Sequence, residues 1–85
     1  MIKDQLVSEL GRLDGDARIA MITDLHRALS MLGVHRTVCE RKNTLNLVVH
    51  LQAAQEQINE VLTAHEQYKN QVLSNFAQDR NPNEK

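Results

Sequence analysis

Residues 47–75 read LVVHLQAAQEQINEVLTAHEQYKNQVLSN and carry the strongest periodic pattern of the chain. Within it, one set of positions recurs at alternating steps of four and three residues: Leu47, Leu51, Ala54, Ile58, Val61, His65, Tyr68, Val72 and Asn75. A mean period of about 3.5 residues is that of a helix packed along another helix in a left-handed supercoil. The stretch therefore predicts a long helix with a helical neighbour along one side.

The composition is that of a small protein packed mainly by aliphatic side chains. Its 85 residues are close to the lower size limit for a self-sufficient core, and only 2% of them are aromatic. Small chains commonly gain burial by oligomerising. A net charge of −1 argues against general attraction to nucleic acids or anionic membranes. One cysteine, no membrane-length apolar run and no evident signal peptide lead us to expect a cytoplasmic protein.

Two shorter helices should precede the long one. Apolar residues at Ile2, Leu6, Leu10 and Leu13 predict the first helix. It should end near Leu13, because the Asp14-Gly15-Asp16 that follows is typical of a turn.

The second helix should cover residues 17–32. Asp16 is the expected N-cap, and Gly33 is the expected left-handed residue after the C-terminus. Residues 34–43 are either a connector or an extra helical turn.

The long helix should start after a cap at Asn43 or Thr44 and extend to about Gln78. No alternating apolar run predicts a strand. We expect one domain over 1–79 and a disordered tail over 80–85. The expected class is all-α, with two short N-terminal helices and one long C-terminal helix forming a coiled-coil-like helical bundle through oligomerisation.

Helix length suggests why a second chain is needed. A helix over 44–78 spans about 52 Å and one over 17–32 spans about 24 Å. The N-terminal helices should therefore cover about half of the long helix. Residues 45–51 are apolar on nearly every side, as burial within a bundle requires, and the apolar positions then narrow to a stripe. We predict that a dimer or tetramer buries this stripe, through Leu51, Ala54, Ile58, Val61, Leu62, His65, Tyr68, Val72 and Phe76.

Reaction and metal motifs are missing from the sequence. His35 and Cys39, four residues apart, are half of a zinc site, but no paired Cys-x-x-Cys or His-x-x-x-His accompanies them. We predict no metal, no cofactor and no catalytic residue. His65 lies in the predicted helix interface, where a polar group can fix register, or is a partly exposed histidine.

Residues 25–41 read LHRALSMLGVHRTVCER and resemble a helix-turn-helix segment, in which Gly-Val ends one helix and a basic recognition helix follows. The resemblance implies DNA contacts by Arg36, Thr37, Arg41 and Lys42. Two positions depart from the pattern: Leu29 replaces the usual small alanine, and Cys39 holds the apolar position. A DNA-binding regulator using residues 25–42 is one alternative function.

A second alternative is an RNA-binding helical bundle of the plasmid primer-repressor kind. It would need a row of basic groups, whereas the long helix offers Lys69 and Arg80.

In size, three-part helical layout and lack of reaction motifs, the chain looks like small phage antirepressors and bacterial antiactivators. The resemblance implies a non-enzymatic regulator that binds a DNA-binding repressor or activator and inactivates it. Candidate partner-binding residues come from the basic stretch and from the polar face of the long helix: Arg36, Arg41, Lys42, Gln52, Gln55, Glu56, Asn59 and Glu60.

Overall fold

A computed structural model describes the backbone of residues 2–80 and the side chains of residues 4–77. The chain forms three α-helices: α1 (Ile2–Gly11), α2 (Gly15–Arg41) and α3 (Leu45–Arg80). At 1.5 Å per residue they span about 15, 40 and 54 Å. The described residues contain no strand, which confirms the all-α class. Apart from Arg80, which ends α3, the predicted tail lies outside the described residues.

The start of α2 is fixed by Asp14, not by Asp16 as predicted. Asp14 has an extended backbone, and its Oδ1 accepts a 2.7 Å hydrogen bond from the Ala17 amide. The first backbone bond of α2 runs from the Arg18 amide to the Asp14 carbonyl, at 3.0 Å. Asp16 lies in the first turn, two residues after the cap, where its charge suits the positive end of the helix dipole.

The helix α2 ends at Arg41, two residues before Asn43, so the predicted end at Gly33 is wrong. Asn43 has a φ of 60°, and its amide donates to the Glu40 carbonyl at 3.2 Å. The Thr44 amide reaches back to the Cys39 carbonyl at 3.0 Å. These two bonds around a left-handed residue form a Schellman motif, in which asparagine takes the place usually held by glycine.

Gly33 therefore lies inside a continuous helix. The core-facing stripe of α2 passes it in steps of four and three, through Leu25, Leu29, Leu32, Arg36 and Cys39. Residues 34–43 were expected to be a connector or one further turn. Both alternatives make the helix too short, because it continues to Arg41. Because Arg36 is polar and Cys39 is small, the apolar pattern of the sequence does not indicate that the helix continues past Gly33.

The longest helix, α3, lies at the centre and packs against both α1 and α2. Arg18 lies over Tyr68, and Arg36 bonds Gln55, so α2 runs antiparallel to α3. The predicted coverage of half of α3 is thus too small, because α2 is about 40 Å long. From Leu51 to Tyr68 the predicted stripe is half-buried within one chain.

Few side chains are fully buried. Among the described residues, Leu10 at 4% exposure and Ala64 at 0% are the buried hydrophobic ones. The apolar start of α3, expected inside a bundle, is open within one chain, since Leu45 is 62% exposed and Val49 is 62% exposed. In the part of the chain described, no helix has the length and apolarity that a membrane crossing requires.

Candidate interaction surfaces

Arg18 joins all three helices. Its Nη1 donates to the carbonyl oxygens of Leu10 at 2.8 Å and Leu13 at 2.6 Å, which closes the end of α1. Its guanidinium lies 4.6 Å from the centre of the Tyr68 ring on α3. The same ring packs against Gly11, where a β-carbon would lie 3.3 Å from Tyr68 Cε1. This junction fixes α1 and the start of α2 on α3.

His65 lies one turn before Tyr68, in a cationic environment. Burial lowers the pKa of His65, and the charges of Lys69 and Arg18 lower it further, with a smaller contribution from His26. Glu66 acts in the opposite direction. The neutral imidazole is therefore favoured in the folded chain. Whether His65 also fixes the register of an oligomer stays a prediction.

A shallow polar cleft runs between α2 and α3. It has a volume of about 320 Å³ and is lined by Leu29, Arg36, Gln52, Gln55, Glu56 and Asn59. An adjoining depression is lined by Glu56, Asn59, Glu60 and Thr63. We call the two together the polar cleft. The structure thus brings six of the eight predicted partner-binding residues onto one surface, whereas Arg41 and Lys42 lie by the α2–α3 connection.

Arg36 is held inside this cleft. Its Nη1 donates to Gln55 Oε1 at 3.0 Å, and its Nε lies 3.6 Å from the Glu40 carboxylate. The side chain is 35% exposed. A guanidinium already bonded to an amide and a carboxylate in its own chain is poorly placed to contact a phosphate.

The predicted helix-turn-helix geometry is wrong. Residues 25–41 lie in one uninterrupted helix, and no glycine among the described residues has a positive φ. A turn at Gly33 is what would set a recognition helix at an angle to its predecessor. Among the described side chains of α3, Lys69 is the one lysine or arginine, and it is paired with Glu66 at 3.7 Å.

The predicted oligomer interface divides into two parts. Seven of its nine residues, from Leu51 to Tyr68, are half-buried beside α1 and α2. Val72 at 46% and Phe76 at 58% are more exposed, because α3 extends beyond the start of α2. The premise that one chain leaves most of the stripe open is therefore incorrect.

A second exposed stripe was missed. Met31, Val34 and Val38 follow one another on α2 at steps of three and four, and are 53%, 58% and 43% exposed. The steps of three and four are present in the sequence. A helix that ended at Gly33 would separate Met31 from Val34 and Val38, so the expected helix end hides the stripe.

His35 and Cys39 are four residues apart on α2. Among the described residues, no three His, Cys, Asp or Glu side chains are grouped as a metal ion would require. Cys39 is a half-buried free thiol, and its carbonyl accepts from the Thr44 hydroxyl at 3.0 Å.

No protein family, curated protein or solved structure matches the chain. Its function is therefore inferred from its own surfaces.

Proposed function

We propose that the chain is a non-enzymatic protein-binding regulator that associates with itself and captures a DNA-binding repressor or activator, in the manner of an antirepressor. One observation carries the protein-binding part. Among the described residues, eleven large hydrophobic side chains are at least 38% exposed, whereas two hydrophobic residues are buried. Such a surface gains its missing burial from other protein chains.

The polar cleft is the proposed site for the regulator. Its amides supply donors and acceptors, and Glu56 and Glu60 supply negative charge beside Arg36. A surface with both signs of charge and several amides suits hydrogen bonding to a protein. Its two carboxylates would repel a phosphate backbone.

Two features favour capture of the regulator over direct DNA binding. The segment 25–41 is a single helix, without the bend that a helix-turn-helix needs. The net charge of −1 offers little phosphate attraction. Sequestration needs neither a helix-turn-helix bend nor attraction to phosphate, because it blocks a DNA-binding surface through contacts between proteins.

An electrophoretic shift assay tests the proposal. We expect the purified chain to leave labelled operator DNA unshifted, and to abolish the shift given by a repressor encoded beside it. A salt-sensitive, sequence-specific complex of the chain alone with DNA would refute the proposal.

A matched pair of variants locates the site. Asn59 lines the polar cleft, whereas Gln67 is exposed on α3 outside it. Asn59→Arg should weaken capture of the repressor at least tenfold by adding bulk and charge to the cleft, while Gln67→Arg should leave it unchanged. Equal effects of the two variants would exclude the cleft as the contact.

A further inference from the structure

We draw no further inference here: the strongest candidate, the exposed apolar stripe of Met31, Val34 and Val38 on the outer surface of α2, carries nothing because nothing in the structure shows what covers it.

Discussion

Replacing Arg18 with methionine should destabilise the fold, because this side chain joins all three helices. Methionine keeps an unbranched stem and a high helix propensity, so the change removes mainly the guanidinium. The lost contacts are the hydrogen bonds to the carbonyls of Leu10 and Leu13 and the cation–π contact with Tyr68.

The magnitude follows from those three contacts. Because Arg18 is only half-buried, each hydrogen bond is assigned about 1 kcal/mol, the central value for a net contribution. The cation–π contact adds about 0.5–1 kcal/mol. The free energy of unfolding should therefore fall by about 2–3 kcal/mol, and the melting temperature by about 10–20 °C.

Urea unfolding followed by circular dichroism measures the change, at one fixed protein concentration because self-association would add to stability. Tyr68 is the one tyrosine in a chain without tryptophan, so its fluorescence reports on the junction directly. Arg27→Met is the matched control: Arg27 pairs with Asp24 at 3.2 Å, but both side chains are more than 70% exposed. That control should lose less than about 1 kcal/mol. Equal losses for the two variants would refute the role given to the junction.

Three further predictions concern α2 and His65. Gly33→Ala should raise the free energy of unfolding by about 0.5–1 kcal/mol, since Gly33 is inside a helix and a β-carbon would meet Gln55 Nε2 at an ordinary 3.7 Å. A lower melting temperature for this variant would instead favour a left-handed helix end at Gly33. Asp14→Ala should lower the free energy of unfolding by about 1 kcal/mol through loss of the N-cap, and Asp16→Ala should lower it clearly less. If chemical denaturation gives the reverse order, Asp16 is the cap. Stability should decrease as the pH falls below about 6.5, because the lowered pKa of His65 lets the unfolded chain take up a proton before the folded chain does. His65→Gln should make the pH dependence of the melting temperature shallower, and so should Lys69→Gln, which removes one cause of the shift; unchanged curves for both would contradict this assignment.

The amino-acid pattern alone predicts a helix correctly where its apolar periodicity is unbroken. The steps of four and three along residues 47–75 fix α3, and its start follows from Asn43 and Thr44, whose side chains suit a helix N-cap. These features depend on neighbours three to five residues away, so they are readable without knowledge of the tertiary structure. Six of the predicted partner-binding positions lie together on the polar cleft because they share a face of α3 or oppose that face from α2.

The length of α2 and the exposure of the helix surfaces depend instead on contacts between helices. The helix passes Gly33 because Arg36, at a core-facing position, bonds Gln55 on α3, a residue 19 positions further along the chain. The stripe from Leu51 to Tyr68 is covered because α2 is long enough to reach along it and α1 packs beside Val61. Local sequence pattern assigns a residue to one face of a helix, but whether that face is covered depends on the length and direction of the neighbouring helices.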